Sequence, residues 1–188
     1  MSGREAGAEA SPIARPVVVS VLPTAGYPVR IEANEAERAA LAEAHGLLSV
    51  EEFVADLEVR RWRKDGVCVQ GAVHARIVQE CIVPLEPVPA DLQVGIDAVF
   101  VPEGSRLARP LDDDGALIVD AEGPDIPEVF EGGEIDAGAI AEEFFELAID
   151  PYPRAPGAEL GEIAGEDDEG EADGENPFAK LAGLRDKL

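Results

Sequence analysis

Four of the chain's 15 basic residues fall within five positions, the string "RRWRK" (Arg60, Arg61, Trp62, Arg63, Lys64), around its only tryptophan. Guanidinium groups clamp phosphates and an indole stacks on an unpaired base, so this string has the chemistry of a single-stranded RNA contact. It also suits a solvated hairpin edge, where charges discourage edge pairing and Trp62 covers the sheet. Catalytic chemistry is harder to find. His45 and His74 are the only histidines, and neither has a matched nucleophile or ligand set. His45 falls at the end of a helix pattern, where a cation favours the macrodipole, and His74 falls on the polar face of a strand pattern, so both are expected to be structural. Cys68 and Cys81 have opposite strand parity and are not spaced as a metal knuckle. A structural zinc site takes four ligands, usually from cysteines paired two to four apart, so no metal is expected. Asp112, Asp113, Asp114 and Gly115 resemble a calcium loop only superficially, because alternating ligands and a glutamate at the twelfth position are missing. They read as a solvated turn. Glu142, Glu143 and Glu146 would serve as acid and base only in a cleft that separates their pKa values. On an amphipathic helix they are expected to face water. No catalytic or cofactor-binding residue emerges, and an enzyme is not expected.

The chain closes on "ENPFAKLAGLRDKL". Asn176 suits a helix N-cap and Pro177 the first helical position. Phe178, Leu181 and Leu184 recur every three residues, and Leu188 extends the stripe. Lys180, Arg185 and Lys187 favour the negative end of the helix dipole. So short a helix is marginal alone in water. It needs a surface, either its own domain or a partner's groove.

These groups must be held by a fold, and its elements are readable from periodicity. "PVVVSVLP" reads as a buried strand bounded by prolines, and "YPVRI" as a second short strand. "NEAERAALAEAHG" is a helix: Asn34 and Glu37 have capping-box spacing, and Gly46 suits a left-handed end. "LLSVEEF" is read as one added helical turn, since Ser49 and Glu52 repeat that spacing. In "ADLEVRRWRK" Leu57 and Val59 share one face, against Asp56, Glu58 and Arg60. In "VCVQGAVHARIVQEC" Val67, Val69, Val73, Ala75 and Ile77 alternate with Gln70, His74, Arg76 and Glu80. Asp65-Gly66 between the two is a hairpin signal, because both residues tolerate positive φ. After Pro84, Pro87 and Pro89, "DLQVGIDAVFV" alternates again through Leu92, Val94, Ile96, Ala98 and Phe100. "ALIVD" and "DIPEVF" are weaker strands. "EIDAGAIAEEFFELAIDPYP" is a second helix, capped by Asp136, striped by Ile140, Phe144, Leu147 and Ala148, and stopped at Asp150-Pro151.

The fold class is therefore α+β: an antiparallel meander or partly closed sheet packed with two main helices. Residues 1–11 read as a disordered N-terminus, 12–158 as a single domain, 159–175 as an acidic disordered linker and 176–188 as the C-terminal helix motif. With 188 residues and 46% hydrophobic content the chain can bury a core. Its 40 acids against 15 bases leave a net charge of −25, which repels nucleic acid and anionic membranes at long range and attracts basic partners. The N-terminal stretch has no secretory h-region, and no run is long and apolar enough to span a bilayer. With only two cysteines, the expected location is the cytoplasm.

The chain resembles the bacterial YceD-like family of large ribosomal RNA subunit accumulation proteins, its alphaproteobacterial branch in particular. The stretches that carry the match are "GAVHARIVQECIVPLEPV", "GEIDAGAIAEEFFELAIDPYPRAPGA" and the closing "NPFAKLAGL", with "ANEAERAALAEAHGL" beside them. The terminal string is the most specific, since generic amphipathy does not demand it. The chain departs where many members carry Cys-x-x-Cys: here "CIVP" leaves Cys81 alone, with Pro84 in the second position. The resemblance implies a non-enzymatic role in ribosome biogenesis, with no cofactor. It implies support for the synthesis or accumulation of large-subunit ribosomal RNA and a link to a large-subunit ribosomal protein. Charge then favours contact with a basic ribosomal protein or assembly factor. Direct RNA binding through Arg60–Lys64 and an acidic chaperone for basic proteins stand as alternatives.

Overall fold

The computed structural model describes residues 10–108 and 126–158. The "ALIVD" strand, the Asp112–Asp114 turn, the acidic run and the C-terminal helix motif fall outside them. The chain divides into two units, 1–156 and 157–188, and the elements below all belong to the first.

Strands β1 (Pro16–Val18) and β2 (Tyr27–Glu32) precede helix α1 (Glu35–Ala44), and strands β3 (Ser49–Trp62), β4 (Gly66–Glu80), β5 (Pro87–Pro102), β6 (Glu128–Phe130) and β7 (Glu134–Asp136) follow it before helix α2 (Ala137–Ala148). One sheet has the order β2-β3-β4-β5-β6, and β1 pairs with β7 in a second, two-stranded sheet. The expected α+β class with an antiparallel meander is present. β2 to β5 pair antiparallel, while β6 joins β5 in parallel.

Period-two patterning explains the sheet. Val59, Val69 and Ala98 lie in one cross-strand row, and Ala55, Val73 and Val94 in another. Most of these are buried on the face that α1 and α2 cover. The opposite face is a polar ladder. Arg30 pairs with Asp56 at 2.8 Å, Gln70 donates to Asp97 at 3.1 Å, and Arg76 bonds Glu52 and approaches Asp91 at 3.6 Å. Gly71 interrupts the apolar alternation for a steric reason: a Cβ there would sit 2.1 Å from the Asp56 carbonyl oxygen.

Helix α1 opens with the expected capping box. Asn34 Oδ1 accepts from the Glu37 N–H, and Glu37 accepts from the Asn34 N–H. Gly46 has φ of 64° just past the C-cap His45. In α2, Asp136 accepts from the N–H groups of Gly138 and Ala139.

Four expectations need correction. "LLSVEEF" is not a helical turn: Ser49 begins β3, and a bulge between Val50 and Glu52 turns both Val50 and Phe53 inward. A three-residue apolar spacing in a bulged strand mimics a helix. Only Pro16–Val18 of "PVVVSVLP" is extended, followed by a 3-10 turn at Val19–Val21 that leaves Val21 exposed. The β3–β4 connection spends its positive φ, 54°, on Arg63 rather than on Asp65-Gly66. Gly66 is instead needed because a Cβ would come 2.8 Å from the Trp62 ring and 3.0 Å from the Phe100 carbonyl oxygen. In α2 the fully inward residues are Ala137, Ile140, Ala141 and Phe145, while Leu147 is exposed.

The N-terminal segment crosses the start of α2. Arg15 N–H donates to Asp136 at 2.7 Å, and Ala137 N–H donates to the Arg15 carbonyl. A Cβ on Gly138 would lie 1.9 Å from the Ile13 carbonyl oxygen. Gly138→Ala, which would favour an isolated helix by roughly 1 kcal/mol, is therefore expected to destabilise this fold by about 1–3 kcal/mol in urea unfolding. Glu37 supplies a pH test. The Arg15 hydrogen bond, then the Asn34 N–H, hold its carboxyl below the usual 4.5. The folded-state pKa is depressed, so this stabilisation is present above the unfolded value and is lost as pH falls through the folded one. The stability gap between the native chain and Glu37→Gln should thus be widest near neutrality and close in acid, as read by denaturation at stepped pH.

Candidate functional site

The "RRWRK" string sits at the tip between β3 and β4, two interior strands of the sheet. It does not guard a sheet edge. Nor do its cations form one surface. Arg60 bonds Gln70 and lies 3.8 Å from Glu58. Arg61 donates to the carbonyls of Leu22 at 3.1 Å and Ser20 at 2.8 Å, tying the 3-10 turn to β3. Arg63 lies over the Trp62 ring, 4.4 Å from its centroid, and Lys64 is exposed. Three of the four cations thus make intramolecular contacts.

Trp62 and Arg63 instead open onto a cavity of about 560 Å³. Arg106 and Phe144 join them there, brought from the strand β5 exit and from α2. Asp97, Val99, Leu107 and Glu128 are among the other residues of its wall. Desolvation, then Glu143, pushes the Glu128 carboxyl above its ordinary value. An indole under a guanidinium and an apolar wall suit a flat group, while the carboxylates of Asp97 and Glu128 offset the charge of Arg63 and Arg106. Among the described residues the lining holds no nucleophile beside a base. Arg106 was not legible as part of this site, because it follows a Gly-Pro-rich turn with no periodicity.

The histidines are placed as expected. His74 is exposed on the polar face of β4. His45, the C-cap of α1, meets Glu142 Oε1 at 3.0 Å through Nε2, and its ring sits edge-on to Phe145. Glu142 therefore turns inward, against the expectation that it faces water, because the buried imidazole needs a polar partner. Glu143 and Glu146 do face solvent. With Glu43 and Glu142 they line a cleft of about 620 Å³ between α1 and α2.

Both cysteines are free. Burial raises the Cys68 thiol, with Asp97 adding to the effect, so it is held as an unreactive thiol. Cys81 is buried, and its sulfur accepts from the Ala155 N–H at 3.2 Å. Among the described residues no group of His, Cys, Asp and Glu is arranged to hold a metal ion. Among them, too, no helix is long and apolar enough to cross a membrane. The tail residues Asn176, Pro177, Phe178, Leu181 and Leu184 lie outside the described residues.

A family model described as "Large ribosomal RNA subunit accumulation protein YceD" matches residues 69–185. No curated protein and no solved structure matches the chain.

The unequal use of the cluster gives a measurable contrast. Arg61→Ala removes two charge-assisted bonds to carbonyls and should cost about 1–3 kcal/mol of stability in urea. Arg63→Ala should leave stability nearly unchanged while shifting the fluorescence of Trp62, the only tryptophan in the chain.

Proposed function

We propose that the chain, which belongs to the YceD family of large ribosomal RNA subunit accumulation proteins, supports that RNA through protein contacts and without chemistry of its own. Its partner on this reading is a basic ribosomal protein or large-subunit assembly factor, and ribosomal RNA is engaged indirectly. The observation that favours protein over RNA is how the cations are spent. RNA affinity rests on lysines and arginines that displace counterions from phosphates. Here Arg60 and Arg61 are held internally, and Arg15, Arg30 and Arg76 sit in ion pairs. The chain as a whole carries 40 acids to 15 bases, and the α1–α2 cleft is lined by four glutamates. A basic polypeptide is attracted to such a surface, and a phosphate backbone is repelled. The apolar segment from Asn176 to Leu188 is a candidate second contact, which would raise the effective concentration of the first.

One specific observation favours a second reading, direct RNA contact. Trp62, Arg63 and Arg106 line a single cavity in which an unpaired base could stack. A pull-down with the tagged full chain at low and moderate salt, with and without nuclease, tests the choice. A basic large-subunit protein should stay bound after nuclease, and depletion of the chain in its host should lower large-subunit RNA while sparing small-subunit RNA. Retention of RNA alone, abolished by Arg63→Glu with Lys64→Glu, would replace the protein-contact reading. Deleting 159–175 while keeping 176–188 separates it from the acidic chaperone: if all binding goes with the acids, the chaperone reading takes over.

A further inference from the structure

The end of the sheet remote from "RRWRK" carries an unusual surface. β4 runs from Gly66 to Glu80, about 45 Å at the usual rise of a strand, and delivers the chain to a turn at residues 81–86. Ile82 and Leu85 in this turn are 43% and 63% exposed, and Leu48 and Tyr152 are 51% and 70% exposed. Backbone bonds bring Ile82, Leu85 and Tyr152 together and tie Leu48 to β4 at the same end of the sheet, at Val78, four residues before Ile82. Leu48 N–H donates to the Val78 carbonyl at 2.9 Å, Ile82 N–H to that of Pro153 at 3.0 Å, and Leu85 N–H to that of Cys81 at 3.1 Å. The surface is built rather than loose. The buried Gln79 side chain donates to the Asp150 carbonyl at 2.8 Å, pinning the 150–155 segment against the turn.

Leu85 adds a second, independent signal. Its φ is 58°, in the left-handed region where a side chain with a Cβ is strained and glycine is not. A leucine there costs conformational energy and, among the described residues, buries little of its apolar surface. The bonds that close the turn, Leu85 N–H to Cys81 and Cys81 N–H to Glu86, account for the backbone conformation, and a contact made by the exposed side chain would account for the choice of leucine over glycine. Charge indicates what makes that contact. Among the described residues, Glu80, Glu86 and Asp150 are exposed beside the turn and the 150–155 segment with Arg154, while Glu35, Glu43 and Arg38 line the groove at Leu48. That rim repels RNA phosphates and anionic lipid.

We propose that Leu48, Ile82, Leu85 and Tyr152 form a docking surface for a basic protein segment bearing apolar anchor residues. The inference rests on the protein-contact reading above and deepens it by placing one contact and naming its chemistry: apolar anchors give affinity, and flanking lysines or arginines meet the acidic rim.

The test uses the full chain and two synthetic peptides of equal length and positive charge, one alternating Lys and Arg with Leu and Ile, the other with Ser in the apolar positions. The apolar peptide should bind at least about tenfold more tightly. Leu85→Gly, which relieves the backbone strain, should keep or raise the thermal midpoint and yet abolish that preference. Tyr152→Ser should also weaken it, leaving the Ser peptide's binding unchanged. Equal affinity for both peptides would overturn the docking surface and leave the broader protein-contact reading standing. Failure of both peptides at low salt, with tight binding of a ribosomal RNA fragment, would overturn both. A dimer in sedimentation that Leu85→Gly breaks would assign the surface to a second copy and overturn the proposal.

Discussion

Phe145 is where the two layers of this fold meet. Its ring packs edge-on to Phe53 of β3 at 5.4 Å and to His45 of α1 at 5.5 Å, and it is fully buried. One side chain of α2 thus joins the sheet, the end of α1 and its own helix. Burying such a ring contributes roughly 2–3 kcal/mol from area alone, and each edge-to-face pair adds about 0.5–1.5 kcal/mol. The contact also fixes an electrostatic arrangement. Once Phe145 draws His45 inward, the imidazole needs a partner, and Glu142, three residues before Phe145, is placed by the helix turn to supply it at 3.0 Å. A polar pair that looked like surface charge is part of the packing of α1 on α2.

The sheet distributes its charges by the same logic. Cross-strand partners on the outer face, Arg30 with Asp56 and Arg76 with Glu52 and Asp91, neutralise one another. Exposed pairs of this kind add little stability. They offset the field of the outer face only in part, since Arg30, Arg60 and Arg76 share it with Glu52, Asp56, Glu58, Asp91 and Asp97, and further acids stand on α2 and at the end of β4. The basic string at the β3–β4 tip is divided in the same way, with Arg61 serving as a brace for the Val19–Val21 turn.

Much of this was legible in the residues. Alternation through Val67–Ile77, broken at Gly71, and through Leu92–Phe100, the capping box at Asn34 and Glu37, and the Asp136 cap depend on local geometry, which sequence spacing reports directly. What was missed depends on long-range contact. Nothing local shows that a bulge at residue 51 turns Val50 and Phe53 to one face, or that Gly66 is required by the Trp62 ring. The parallel pairing of β6 with β5 was equally hidden, since a three-residue strand has no readable partner. The site was legible as a composition and not as a surface: five adjacent residues share a string, yet the fold sends their side chains to three different environments. Arg106 and Phe144, distant in sequence, are the ones that join Trp62.

On the proposed reading the two kinds of surface act at different ranges. Acids on α1, α2 and the rim at Glu80 and Glu86 attract a cationic polypeptide over roughly a Debye length, about 8 Å at physiological salt, and raise its encounter rate. They hold it poorly, because exposed ion pairs are screened. Retention needs apolar burial, and a protein that exposes Leu48, Ile82, Leu85 and Tyr152 together provides for it. A partner with both features would be selected twice, by charge on approach and by shape on arrival, while bare RNA would be rejected at the first step. Such a division of labour needs neither a catalytic residue nor a cofactor.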